Sequence, residues 1–157
     1  MKTKTTKAVL TFKQAVELTP DIEDSYQPGL TALGSYNDRI SVANTSKIEG
    51  SVDIDKATEA KYPSQNRWDF AFSYNTEVFF VEVHSANTSE VKTMLRKLQW
   101  LKDWLVQKAP EINKLKAKNK TPYIWIQSKN FQILKNSPQY RSAVTNNIFP
   151  VKILKLD

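Results

Sequence analysis

Cysteine is absent from the 157 residues. That excludes a disulfide framework, a thiolate zinc site and a cysteine nucleophile. Glycine occurs three times, at 29, 34 and 50, too few and too far apart for a glycine-rich phosphate cradle. A P-loop or dinucleotide fingerprint in its usual form is therefore excluded. Long apolar runs are missing as well. No stretch approaches the run of about 18 apolar residues that a membrane helix needs. The start, MKTKTTKAVLTFKQAVEL, has no unbroken apolar segment of the kind a signal peptide carries. A cytoplasmic, non-membrane protein is the expectation. Histidine occurs once, at His84.

What is present is one domain's worth of ordinary globular composition, with 40% hydrophobic and 25% charged residues, enough to bury a core without staples. The net charge of +7 is uneven. Residues 1–85 hold 9 Lys+Arg against 12 Asp+Glu, and residues 86–157 hold 14 against 4. A basic half beside an acidic one points to a polyanionic partner, nucleic acid foremost, or to a solvated basic surface.

Residues 1–7 are Lys-rich and read as a frayed tail. Residues 11–18 suit a short helix ended by Pro20. Residues 19–38 read as loop. Strands are expected at 39–43 and, broken at Gly50, at 48–54, with a helical turn at 55–62. Two clear strands follow, WDFAFSY at 68–74 and VFFVEVH at 78–84, both rich in aromatic and β-branched residues. Asn87 to Glu90 has the form of a capping box. After it, Val91, Met94, Leu95, Leu98, Leu101 and Leu105 make the apolar stripe of a long helix that stops at Pro110. A basic linker at 113–120 leads to a strand at 123–127, with 131–134 as its candidate continuation. Ser137-Pro138 opens a helix to about residue 145, and 151–156 closes the chain as a strand. The expectation is an α/β fold: a mixed central sheet with flanking helices, an αβββαβ core plus a C-terminal αβ unit.

If Asn75-Thr76 is a two-residue hairpin loop, Tyr74 pairs with Glu77, Phe72 with Phe79, Phe70 with Val81, and Asp69 faces Glu82. Phe70, Phe72, Phe79, Val81 and Val83 then share one face, and Asp69, Ala71, Ser73, Phe80, Glu82 and His84 the other. Two carboxylates opposed on central strands repel unless a cation lies between them. They suit Mg²⁺ or Mn²⁺, and His84, two residues on, could ligate a softer metal or act as a base. Solvent-facing acids and a surface or core histidine are the plainer alternative.

The residues Asp69 and Glu82-Val83-His84, set in this element order, resemble the PD-(D/E)xK nuclease superfamily across residues 11–128. The resemblance implies a helix, three strands, a helix and a strand, with Asp69 and Glu82 (and His84 beside them) on a Mg²⁺ or Mn²⁺ ion. It further implies hydrolysis of a phosphodiester in nucleic acid. His84 stands where the family has lysine, and Lys97 on the following helix is the candidate replacement. Glu17 is the one acid of the first helix, where the family often places another, and Glu49 and Asp53 are further acids nearby. Lys114, Lys116, Lys118 and Lys120 would contact backbone phosphates. Trp100 and Trp104, one helical turn apart, could stack on bases, form a homodimer contact, or pack beneath a loop. The competing readings are a nuclease, a catalytically inactive nucleic-acid-binding module on the same fold, and a protein-interaction domain.

Overall fold

A computed structural model describes residues 9–157; the expected frayed tail at 1–7 lies outside them. The chain begins with helix α1 (Phe12–Glu17). Thr11 and Gln14 cap it reciprocally, side chain to backbone in both directions, so two of its orphan N–H groups are satisfied. After strand β1 (Gln27–Pro28) and 3₁₀ turns at Thr31–Arg39 come β2 (Ile40–Val42), β3 (Ile48–Asp53) and the short helix α2 (Ile54–Thr58). Strands β4 (Phe70–Tyr74) and β5 (Glu77–His84) form the hairpin. Helix α3 (Val91–Gln107), α4 (Pro110–Leu115), β6 (Tyr123–Gln127), α5 (Pro138–Thr145) and β7 (Leu154–Leu156) complete the chain.

The central sheet is mixed, in the order β1-β3-β4-β5-β6. Only the β5–β6 pair is parallel, and α3 and α4 make the crossover that a parallel pair requires. The order α1-β3-β4-β5-α3-β6 is the expected αβββαβ core, with α5 and β7 as the C-terminal αβ unit. Alternation in the strands divides the sheet into two apolar faces. Ala71, Val78, Phe80 and Trp125 pack with Phe12 and Val16 of α1, Met94, Leu98, Leu101 and Leu105 of α3, and Ile112 of α4. On the other face Phe70, Phe72, Phe79, Val81 and Ile126 pack with Leu33, Ile40 and Leu156. No helix of the described residues is long and apolar enough to cross a membrane.

Several expectations are corrected. Strands 39–43 and 151–156 shorten to β2 and β7 and leave the central sheet, pairing with each other in parallel as a second two-stranded sheet. The "linker" at 113–120 begins as the last turn of α4, which has Pro110 in its first turn, where a missing N–H costs nothing. Residues 131–134 do not continue β6; only a single bridge joins Gln132 to Asn87. The capping box at Asn87 does not form. A 3₁₀ turn, Thr88–Glu90, leads into α3 instead, without a side-chain cap. Ser137, by contrast, caps α5 through a bond from Tyr140 N–H to its hydroxyl, 3.0 Å. The break at Gly50 is real: the β3–β4 register shifts between Ile48 and Ser51, and a Cβ on Gly50 would run into the Tyr26 ring.

Candidate functional site

The hairpin turn fixes everything downstream of it. Asn75 and Thr76 both have positive φ, 51° and 68°, the backbone of a two-residue turn whose twist matches that of the strands. The register follows as expected: Tyr74 with Glu77, Phe72 with Phe79, Phe70 with Val81. Just past the last pair the side chains take over from the ladder. Asp69 N–H donates to Glu82 Oε1, 3.0 Å, and Val83 N–H donates to Asp69 Oδ2, 3.1 Å. Two carboxylates on neighbouring strands are thereby locked in opposition. On the far side of Asp69, Ile54 N–H donates to its carbonyl, 2.8 Å, which ties the site to the start of α2.

Helix α3 lies over this face and brings Lys97 to it. Lys97 Nζ donates to Glu82 Oε2 at 2.8 Å. The Glu82 side chain is 1% exposed and that of Lys97 18%, so the pair is largely out of water. Lys97 precedes the buried Leu98 of the apolar stripe. Its long stem runs along the helix while the ammonium reaches the acids. His84 sits between two carboxylates, with Nε2 2.8 Å from Glu90 Oε2 and Nδ1 3.7 Å from Glu82 Oε2.

Burial pushes the Asp69 carboxyl up to about 8, and the neighbouring Glu82 charge pushes the same way. Burial alone would lower Lys97. The charge and hydrogen bond of Glu82, with the charges of Asp69 and Asp55, outweigh it and hold the ammonium above its ordinary value. His84 is raised, first by its contact with Glu82 and then, against the opposing effect of burial, by Glu90. The cluster is thus a buried acid pair that keeps a proton, beside a lysine that stays charged.

Asp69, Glu82, His84 and Lys97 are brought together. The expected three-side-chain metal cage is not: among the described residues no group of three or more His, Asp or Glu side chains is arranged to hold a metal ion. His84 faces Glu90 and Glu82 with its two ring nitrogens, so its geometry is that of a carboxylate partner and not of a third ligand. The Asp69–Glu82 pair does fit a hard cation by chemistry. Two adjacent carboxylates are an oxygen donor set for an ion that keeps several waters of its own.

The other acids lie elsewhere. Glu17 is exposed on α1, and no bond ties it to the cluster. Glu49 accepts the Phe12 N–H, 2.9 Å, and Asp53 caps α2 through Lys56 N–H, 2.9 Å. Three contributors escaped the sequence reading. Glu90 was counted only as a helix-capping residue, though its place six residues after His84 brings it back over the strand end. Asp55 and Arg67 form an ion pair, 2.8 Å, close enough for Asp55 to act on Lys97, and no spacing rule marks them.

The tryptophans are not a free stacking platform. Trp104 is 4% exposed and its Nε1 donates to Asp21 Oδ2, 3.0 Å. Trp100 stacks on Trp104, meets Tyr62 edge-on and donates to Gln65 Oε1, 2.6 Å. Trp100 packs against the 62–65 loop of its own chain, and Trp104 lies behind it against Asp21.

The lysines of 114–120 separate. Lys114 pairs with Glu111 on α4, 3.1 Å. Lys116, Lys118 and Lys120 line a hollow near the start of β6. That is the Glu77 end of the hairpin, five residues or about 17 Å along β5 from Glu82. Compared with protein-family models, curated proteins and solved structures, the chain matches none.

Proposed function

We propose that the Asp69–Glu82–Lys97 cluster hydrolyses phosphodiesters in nucleic acid with Mg²⁺ or Mn²⁺, as a divergent PD-(D/E)xK-like nuclease whose lysine comes from the helix. The observation that carries this reading is the 2.8 Å contact of Lys97 Nζ with Glu82 Oε2, made on the face where Asp69 and Glu82 oppose each other at the end of a hairpin. Expecting the lysine's replacement on α3 put Lys97 forward on its helical position alone, and Lys97 is the cation that meets Glu82.

Asp69 and Glu82 would hold the ion. When bound, it would lower the pKa of a coordinated water and offset the negative charge that builds on the phosphoryl oxygens. Lys97 Nζ, anchored by Glu82, has donors left over to orient a water or a non-bridging oxygen. His84, held toward its protonated form by Glu82 and Glu90, would return a proton to the leaving oxygen. Glu82 lies near the carboxyl end of β5, beside the parallel strand β6. In open α/β sheets ligands bind outside the carboxyl ends of the strands.

The test combines two measurements on the full chain. Labelled DNA and RNA, single- and double-stranded, are incubated with Mn²⁺ or Mg²⁺, and thermal unfolding is followed with each ion. The reading expects cleavage that chelation stops and that Asp69→Ala and Lys97→Ala abolish, with a metal-induced thermal shift lost in Asp69→Ala. A chain that neither shifts with metal nor cuts any of the four substrates overturns it. Metal-independent binding of nucleic acid, unchanged in Asp69→Ala, would mark an inactive binding module instead.

A further inference from the structure

The hollow beside β6 differs in kind from the acid–lysine cluster. It encloses about 650 Å³. Its cations arrive from two directions: Lys102 from the exposed side of α3, and Lys116, Lys118 and Lys120 from the segment joining α4 to β6. Asn146, next to the end of α5, also lines it, its Nδ2 donating to the Ser142 carbonyl, 2.8 Å. No Asp or Glu lines it. The neighbouring acid, Glu77, lies outside the lining and is turned to the backbone, its Oε2 accepting Lys118 N–H at 3.0 Å. Four lysines line this concave surface with no Asp or Glu in its lining, a local excess of positive charge. That arrangement gains by taking up an anion with several charges.

We propose that this hollow is a second contact point for nucleic acid, one that holds the phosphodiester backbone and reads no base. Its one aromatic ring argues against base stacking. Tyr123 is half-buried against Phe80, their ring centres 5.8 Å apart, and Lys102 Nζ lies 5.4 Å from its centre. Lysines act on phosphates as mobile point charges, without the fork geometry that picks out a guanine edge. The hollow and the acid–lysine cluster both border α3, which carries Lys97 and Lys102. The lining reaches from the Glu77 end of β5 to Tyr123, which pairs with Phe80, so it lies about 7 to 17 Å along β5 from Glu82, about two to five nucleotide steps at 3.4 Å each. One duplex can therefore reach both. The partner class is shared with the hydrolytic reading, but binding here needs neither metal nor turnover.

The experiment is fluorescence anisotropy of a labelled DNA duplex with the full chain in EDTA, from 50 to 200 mM salt. The variant Lys118→Gln/Lys120→Gln removes two exposed charges. The control, Lys47→Gln/Lys56→Gln, removes two equally exposed charges from the β3 side of the sheet. Each phosphate contact contributes about 0.9 to the log–log salt slope, so the first variant should be shallower by about 1.8. The wild type should then lose about twelve-fold more affinity than that variant across the salt range. The control should keep the wild-type slope, and circular dichroism should show all three folded. Equal slopes in the two variants, or no binding by the wild type, overturn the proposal. So does inorganic pyrophosphate binding through Lys118 and Lys120 while DNA does not, since the hollow would then serve a free phosphate. Metal-dependent cleavage is scored separately, so a silent hydrolytic site leaves this result standing and a failed hollow leaves the hydrolytic reading standing.

Discussion

Replacing Asp69 with asparagine should make the chain more stable, and increasingly so as pH rises. The Asp69 carboxyl titrates near 8 in the folded chain against an ordinary value of 3.8. Its folded pKa lies above its unfolded one, so between those values the folded state holds more protons than the unfolded state. Folding is then favoured at low pH, and stability is lost as pH climbs from about 4 to about 8. Four pH units at about 1.4 kcal/mol each set a ceiling of about 6 kcal/mol. Lys97, whose ammonium lies on Glu82 Oε2 beside Asp69, offsets part of the charge that Asp69 gains on ionising. An offset of that kind should leave about 2 kcal/mol. Asparagine has nearly the same shape, stays neutral throughout, can accept the Val83 N–H that Asp69 Oδ2 now takes, and can donate to Glu82. The assay is urea unfolding in EDTA, followed by tryptophan fluorescence at pH 4, 6 and 8. The two proteins should be nearly equal at pH 4, and Asp69→Asn should lead by about 2 kcal/mol at pH 8. A difference that is flat with pH, or that shrinks as pH rises, refutes the account of the site as a buried acid pair.

Other parts of the molecule give further tests. Lys97→Met leaves Glu82 buried at 1% exposure without its cation and should cost about 3 kcal/mol at pH 7, with Lys97→Arg recovering most of it in the same denaturation assay. Asp21→Ala removes the acceptor shared by Lys61, Tyr62 and Trp104. The loss of about 2 kcal/mol should come with a change in tryptophan emission, because a buried indole N–H is left unsatisfied; no emission change would count against the Trp104 contact. Thr76→Gly relieves a β-branched residue at φ 68° and creates the favoured Asn-Gly turn, so the midpoint of unfolding should rise by the equivalent of about 1 kcal/mol.

Legibility in the sequence followed the range of the interaction. The hairpin register could be read because period-two alternation and a two-residue loop leave little freedom, and a slip by one would bury Asp69 and Ser73 among the phenylalanines of the other face. The α5 cap was readable because Ser137-Pro138 acts within one turn. The pairing of β2 with β7 was not readable. Two three-residue strands more than 110 residues apart carry no local sign of each other, and either could have extended the central sheet. The 3₁₀ entry to α3 replaces the capping pattern: the Glu90 N–H goes to the Asn87 carbonyl instead of its side chain, and the Glu90 carboxylate turns to His84. At the site, the Asp69–Glu82 opposition followed from strand geometry and Lys97 from helix position. Glu90 and Asp55 needed the tertiary fold, since only the packing of α3 and α2 against the strand ends brings them near.

The cluster is hard to account for as a stabilising device. The face that carries Glu82 is otherwise built from Phe80, Trp125, Leu98 and Leu101, all buried. A buried ion pair recovers in attraction about what it loses in hydration, and apolar residues of similar volume at such positions are often neutral or better. Here the arrangement goes further, since a second carboxylate sits against the first and holds its proton up to about 8. A chain selected only to fold would gain by replacing Asp69, and the asparagine test measures how much. The Thr11 cap and the alternation of the hairpin agree with their local sequence, whereas this strand end sets two carboxylates and a lysine against an apolar core. Departures of this kind concentrate where a protein acts. A divalent cation in place of the Asp69 proton would turn the repulsion between Asp69 and Glu82 into affinity. Stabilisation by Mn²⁺ should therefore grow with pH over the same range in which the metal-free chain weakens.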